Sequence, residues 1–154
     1  MTHEVVVQIA CEEEELPDPG NLRVWARAAV GEQRENTELT IRVVDETEIA
    51  QLNERYRKKR GVTNVLSFPF DAPAAVDIPL LGDVVICAPV VRREADEQSK
   101  NVNAHWAHMV VHGTLHLLGF DHEKPAQARE MEALETRILA DLGFDNPYEV
   151  RGSS

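Results

Sequence analysis

The most informative stretch of the sequence is residues 103–122, which read NAHWAHMVVHGTLHLLGFDH. Placed on a helix at about 100° per residue, residues 103–118 carry apolar side chains on both sides, as in a helix that is buried nearly all round. One narrow polar arc lies between them, and it consists of four histidines: His105, His108, His112 and His116. Buried side by side, these imidazoles would each need partners for two ring nitrogens. A shared metal ion satisfies such nitrogens more simply than separate hydrogen bonds do.

Helix geometry limits which of these histidines can share one ion. His112 and His116 are four residues apart, so they project one above the other from the same face. Adding His108 would spread three ligands over about 12 Å of helix axis, whereas zinc–nitrogen bonds are only about 2.0–2.1 Å long. Gly119 predicts a turn just past the helix end, after which the chain doubles back to His122. We therefore predict one Zn²⁺ per chain, held by His112, His116 and His122 with one position left for water.

Three residues near the predicted zinc ligands are assigned less specific roles. Asp121 is a rival third ligand, and it could equally cap the turn that follows the helix. His105 and His108 are interpreted as residues that support the ligands or pack in the core. Three imidazoles would also fit nickel, copper or iron.

The spacing His-x-x-x-His-x-x-Gly-x-x-His matches that of the metzincin metalloproteases, which carry a glutamate directly after the first histidine as the general base. That position is Gly113 in this chain. The missing glutamate argues against peptide hydrolysis, although a metal could still activate water for another substrate.

The remaining segments predict an α+β fold, in which a small mixed four-stranded sheet packs with about five helices and the metal site lies on a central buried helix. Strands are expected at residues 4–10, 39–44, 64–68 and 83–87, and helices at 21–33, 46–57, 89–100, 103–118 and from near 125 to 143. Residues 71–79 are expected to form a loop. The helix over 46–57, capped by Asp45, is expected to bury Ile49, Leu52 and Tyr56.

Length and composition bound the class of protein. With 154 residues the chain predicts a single domain, 1–154, with a real hydrophobic core. No apolar run approaches the ~20 residues that span a bilayer, and the first residues lack the basic start of a signal peptide, so we expect a cytoplasmic protein with no membrane partner. Cys11 and Cys87 have no C-x-x-C partner and are interpreted as structural. The net charge of −11 argues against binding nucleic acid through bulk electrostatics.

One segment is strongly basic although the chain as a whole is acidic. Five of the six residues 55–60 are basic: Arg55, Arg57, Lys58, Lys59 and Arg60. Without these five residues the rest of the chain carries a net charge of −16, so positive charge is concentrated in one segment. Cations at a helix C-terminus complement its dipole, which explains one or two of them. The cluster as a whole favours phosphate contact.

The strand after this cluster, residues 64–68, is followed by Pro69, which cannot donate to a ladder and so predicts a sheet edge. An edge strand beside a metal cleft can line an extended substrate. Phe68 and Phe70 could stack on bases, although Phe68 is better interpreted as a core residue. Ser67 is a candidate helper in catalysis.

Four segments of the sequence resemble the YbeY family of bacterial endoribonucleases, also called rRNA maturation factors. They are LNERYR at residues 52–57, TNVLSFP at 63–69, LGDVVIC at 81–87 and HGTLHLLGFDH at 112–122. The segments MEALE at 131–135 and PY at 147–148 are similar too. The resemblance covers residues 40–149, whereas the first forty residues carry little of it.

The resemblance implies an α+β fold and a zinc ion on three histidines, which match His112, His116 and His122. It implies cleavage of single-stranded RNA, maturation of ribosomal RNA including the 3′ end of the small-subunit RNA, and ribosome quality control. The family's functional arginine corresponds to Arg57, which we predict to be catalytic, with Lys58, Lys59 and Arg60 binding the RNA backbone. Partners would be ribosomal RNA and the small subunit or its proteins.

Two other functions stay open at this point. A metallopeptidase fits the histidine spacing but lacks the glutamate. A non-catalytic ribosome-assembly factor, whose metal only stabilises the fold, fits the basic cluster as well as an enzyme does.

Overall fold

A computed structural model describes residues 2–70 and 79–148, and over those residues it contains four strands and five helices. In chain order they are β1 Thr2–Ala10, α1 Pro19–Val30, β2 Asn36–Val44, α2 Glu46–Arg57, β3 Val65–Pro69, β4 Leu80–Cys87, α3 Ala88–Glu97, α4 Val102–Leu117 and α5 Pro125–Asp141. The predicted α+β class is confirmed. The predicted loop at residues 71–79 lies outside the described residues except for Pro79. None of the described helices is long and apolar enough to cross a membrane.

The four strands form one mixed sheet in the order β1-β2-β4-β3. Strands β1, β2 and β4 run parallel, and β3 pairs with β4 in the antiparallel direction. β3 is therefore an edge strand, as Pro69 predicted, and it ends where Pro69 lies opposite Gly82. This edge leaves one side of β3 free for the functional cleft described below.

The larger core lies between one face of the sheet and the helices α1, α4 and α5. It includes the fully buried side chains Leu22, Leu39, Ile41, Trp106, Leu115, Met131 and Leu139. α4 lies inside this layer, which explains why its sequence is apolar on both sides. The Asn101 side chain caps its first turn by accepting a hydrogen bond from the Ala104 backbone N–H at 3.2 Å.

Gly113 lets α4 approach the sheet closely. A Cβ atom at this position would lie 2.6 Å from Val84 Cγ1 and 3.2 Å from Val65 Cγ2. The Ser67 hydroxyl donates to the Gly113 carbonyl oxygen at 2.9 Å, which ties the helix to the edge strand. The contact therefore holds the histidine-bearing end of α4 against β3.

A smaller core covers the opposite face of the sheet beneath α2 and the start of α3. Val44, Ile49, Leu66 and Val85 are buried there, and Leu52 packs at its margin. The prediction that Tyr56 points inward is wrong, because its side chain is 58% exposed. The last turn of α2 runs past the packed part of the sheet, and the Tyr56 ring packs edge-to-face with the Phe68 ring, at 5.4 Å between centroids.

Candidate active site

Three histidines converge where α4 ends. His112 and His116 lie on its last two turns, and His122 returns to them after the turn at Gly119. Gly119 has a φ of +102°, a conformation that glycine adopts without steric cost. The Phe120 backbone N–H donates to the Leu115 carbonyl at 3.1 Å and reverses the chain. One potential ligand nitrogen from each histidine lies within 4.8 Å of the others.

The electrostatics of this cluster favour a neutral imidazole at His116. The Nε2 atoms of His112 and His116 are 3.1 Å apart. Burial, together with the neighbouring His112 and His122 rings, lowers the pKa of His116 to about 4. A proton on His116 is therefore disfavoured at neutral pH, and its ring nitrogen keeps a lone pair for a cation.

The donor set fits a tetrahedral divalent ion. Two ligands on zinc–nitrogen bonds of about 2.05 Å would lie about 3.3 Å apart at the tetrahedral angle, which is close to the 3.1 Å between His112 and His116. His112 Nδ1 bonds Glu135 Oε1 at 3.1 Å, so its Nε2 is left as the coordinating atom. His122 is exposed while the other two are half-buried, so the centre opens toward solvent on one side.

A buried hydrogen-bond network lies behind these histidines. Glu135 on α5 is 1% exposed, and it bonds His108 Nε2 at 2.6 Å in addition to His112. Tyr148 donates its hydroxyl to the same carboxylate at 2.8 Å. Burial alone would raise the pKa of Glu135, but the hydrogen bonds and charges of His108 and His112 hold it at about 2. His105 makes a separate contact, from Nε2 to Glu94 at 3.0 Å.

The three histidines lie in the wall of a cleft of about 670 Å³. The edge strand β3, the residues before it and the end of α2 also line the cleft. Phe120, Asp121 and Glu123 line it beside His122. The Asp121 carboxylate accepts from the His122 backbone N–H at 2.7 Å, which matches the capping role considered for it.

The structure divides the basic cluster at residues 55–60. Arg57 and Lys59 line the cleft, whereas Lys58 and Arg60 are exposed outside its lining. Lys58 has a φ of +57°, and this left-handed residue ends α2 and turns the chain. Arg55 lies over the Tyr56 ring, 5.5 Å from its centroid. Two of the five cations therefore line the same cleft as the histidines.

Sequence reasoning missed three residues that shape this site. Asn53 is buried, lines the cleft and donates to the Gly61 carbonyl at 3.1 Å, which fixes the loop after the cluster. Asn64 lines the cleft and donates to the Glu94 carboxylate at 3.1 Å. Glu135 is one of several acidic residues in α5, and the sequence does not distinguish it from the others. The signal for Asn53 was its place on the inner face of α2, where an amide needs partners.

The position after His112 cannot carry a peptidase base in this fold. Gly113 faces the sheet, where even a Cβ atom would overlap Val84, and it does not line the cleft. The absence of a glutamate there is thus a packing requirement of α4 against the sheet.

The fold and site define an α+β protein with a three-histidine centre in a partly basic cleft. A family model described as endoribonuclease YbeY matches residues 8–143. Endoribonuclease YbeY of Nitrosococcus oceani is 54% identical over 151 residues, which is 97% of this chain and 99% of that protein. The solution structure of TM1509 from Thermotoga maritima is 22% identical, with a TM-score of 0.57 over 94% of this chain and 99% of that one, and shows the same fold. The chain belongs to the YbeY family of endoribonucleases, which are nuclease hydrolases.

Proposed function

We propose that this protein is a zinc-dependent endoribonuclease specific for single-stranded RNA, active in ribosomal RNA maturation, including the 3′ end of small-subunit RNA, and in ribosome quality control. Its partners would be ribosomal RNA and the small subunit or its proteins, in the cytoplasm. The observation that carries the proposal is that three convergent imidazoles and Arg57 line one cleft.

His112, His116 and His122 would hold the ion. A bound zinc ion supplies Lewis-acid chemistry, because it polarises phosphoryl oxygens and acidifies water. The site offers three ligands and an open side at His122, whereas structural zinc sites are closed by four protein ligands. This open geometry favours catalysis over a metal that only stabilises the fold, and the packing at Gly113 argues against a peptidase.

Arg57 is the proposed catalytic residue. Its guanidinium can donate two parallel hydrogen bonds to a phosphodiester that lies between it and the histidines. Lys59 would add a second contact inside the cleft. Lys58 and Arg60, exposed at the rim, would attract the RNA backbone on either side of the scissile bond.

Strand β3 supports a preference for unpaired RNA. Hydrogen bonds from Cys87 N to Asn64 O and from Phe70 N to Leu81 O show that alternate residues of β3 bond to β4. The backbone carbonyls of Val65 and Ser67 consequently point to the free edge, and both residues line the cleft. Unpaired bases and ribose 2′-hydroxyls can donate to such carbonyls, whereas paired bases have used their Watson–Crick donors.

The direct test combines metal content with cleavage. His116→Ala should lose stoichiometric zinc and the cleavage of a labelled single-stranded RNA, while His3→Gln, at the opposite edge of the sheet, should keep both. A chelator should abolish wild-type cleavage, and added zinc should restore it. Retained zinc in His116→Ala would overturn the ligand assignment. Analysis of the product ends distinguishes attack by water from attack by the 2′-hydroxyl, since only the latter gives a cyclic phosphate.

A further inference from the structure

Glu135 is a carboxyl side chain buried beside the proposed metal centre, and the roles proposed above do not use it. It projects from α5 toward α4 and is 1% exposed. Burial of a charge is costly unless several donors converge on it. Three donors do so here, which indicates that the arrangement is specific.

The two carboxylate oxygens have different partners. Oε1 accepts from His112 Nδ1 at 3.1 Å. Oε2 accepts from His108 Nε2 at 2.6 Å and from the Tyr148 hydroxyl at 2.8 Å. One oxygen thus contacts a proposed ligand, and the other is held by His108 and Tyr148.

We infer that Glu135 is a positioning residue for His112, and that Tyr148 extends this control to the C-terminal segment; the inference rests on the proposed function, because it assumes that His112 holds the metal. Donation from Nδ1 fixes the ring of His112 so that Nε2 points toward His116 Nε2, 3.1 Å away. Without that acceptor the half-buried His112 ring could rotate about its side-chain torsions. Carboxylate partners of this kind raise the basicity of metal-bound imidazoles and fix their orientation.

Tyr148 connects the network to a segment that is anchored independently. The Lys100 ammonium donates to the Pro147 carbonyl at 2.9 Å, and the Tyr148 backbone N–H donates to Asn146 Oδ1 at 2.8 Å. The tyrosine ring also packs edge-on against the His108 ring, 5.3 Å between centroids. The segment therefore presents the Tyr148 hydroxyl to Glu135 in one orientation.

The test measures metal affinity separately from RNA cleavage. Zinc-stripped wild type, Glu135→Gln and Tyr148→Phe are titrated with Zn²⁺ against a chromophoric chelator, and the Co²⁺-loaded forms are compared by visible absorption. Glu135→Gln should weaken zinc binding about 10- to 100-fold and shift the Co²⁺ bands. Tyr148→Phe should weaken it less, in the same direction. Glu132→Gln, the same chemical change on the exposed face of α5, should behave as wild type.

The outcomes separate this inference from the proposed function. If wild type binds no zinc, the proposed function fails and the inference fails with it. If wild type binds zinc and Glu135→Gln binds it equally well, with only a lower melting temperature of the zinc-free protein, Glu135 is merely structural and the inference alone fails. If Glu135→Gln does not fold, Tyr148→Phe is the deciding variant, because Tyr148 is 42% exposed and the change removes only one hydroxyl group. Unchanged zinc affinity and unchanged Co²⁺ bands in Tyr148→Phe would then overturn the inference.

Discussion

Only some residues of the basic cluster line the cleft, and this difference gives a specific prediction for Arg57. Arg57→Ala should keep stoichiometric zinc, because the change leaves all three proposed ligands intact. It should lower RNA cleavage about 10- to 100-fold, because it removes charge-assisted hydrogen bonding to phosphate. Arg55→Ala removes the same charge from the same helix, but Arg55 lies over Tyr56 outside the cleft lining. It should change cleavage less than about twofold. Full activity of Arg57→Ala would remove Arg57 from the mechanism.

His116 also predicts how the stability of the zinc-free protein depends on pH. Its pKa is lowered to about 4 in the folded chain, mainly by burial, against an ordinary value of 6.5. The unfolded chain therefore takes up this proton first as the pH falls, and the free energy of unfolding should decrease between pH 6.5 and about 4. Chemical denaturation of zinc-free protein across that range measures the decrease. His116→Gln should show a smaller decrease; an equal one would mean that other groups cause it.

At the scale of elements, the packing of α4 on the sheet depends on Gly113. Gly113→Ala gains about 1 kcal/mol of helix propensity, but its Cβ must displace the buried Val84 side chain, and overpacking costs about 1–3 kcal/mol. We expect a net loss of stability and weaker zinc binding, since α4 carries His112 and His116. In Gly113→Ala combined with Val84→Ala the overlap disappears, so the double variant should be more stable than the sum of the single changes indicates. Additive losses in urea denaturation would contradict this account.

The elements themselves were largely predictable, because each buries a recognisable apolar face. Strand β3 was placed at an edge from Pro69 alone, and α4 was predicted to be buried because it is apolar on both sides. Tyr56 was assigned to the core wrongly, since helical periodicity does not show where a helix runs past the sheet. Glu135 was missed because its partner His108 lies 27 residues away, and only tertiary structure brings them together.

The candidate site was predictable where its residues are close in sequence and less so elsewhere. The convergence of the three histidines followed from helix spacing and the glycine turn at Gly119. Which cations face the cleft did not follow, because the left-handed backbone at Lys58 redirects the chain after α2. The hydrogen bond between Asn64 and Glu94 joins residues 30 positions apart in the sequence, so only the tertiary structure reveals it.

At the scale of the whole molecule, the net charge of −11 and the few cations in and beside the cleft predict how strongly the protein binds RNA and how that binding depends on salt. Arg57, Lys59, Lys58 and Arg60 allow at most four phosphate contacts. For single strands the logarithm of the binding constant should then fall with the logarithm of salt concentration with a slope no steeper than about −3. The acidic remainder repels RNA at longer range, so free RNA should bind weakly near physiological salt, and efficient cleavage should require a docked ribosomal partner.

Fluorescence anisotropy of the zinc-loaded protein with a 2′-O-methyl RNA, which resists attack by its own 2′ position, measures the binding constant and its dependence on salt. Lys59→Gln should make the slope shallower by about 0.7, while Glu12→Gln, in the segment between β1 and α1, should leave the slope unchanged. Tight, sequence-indifferent binding of free RNA in physiological salt would show that the cleft alone holds the substrate.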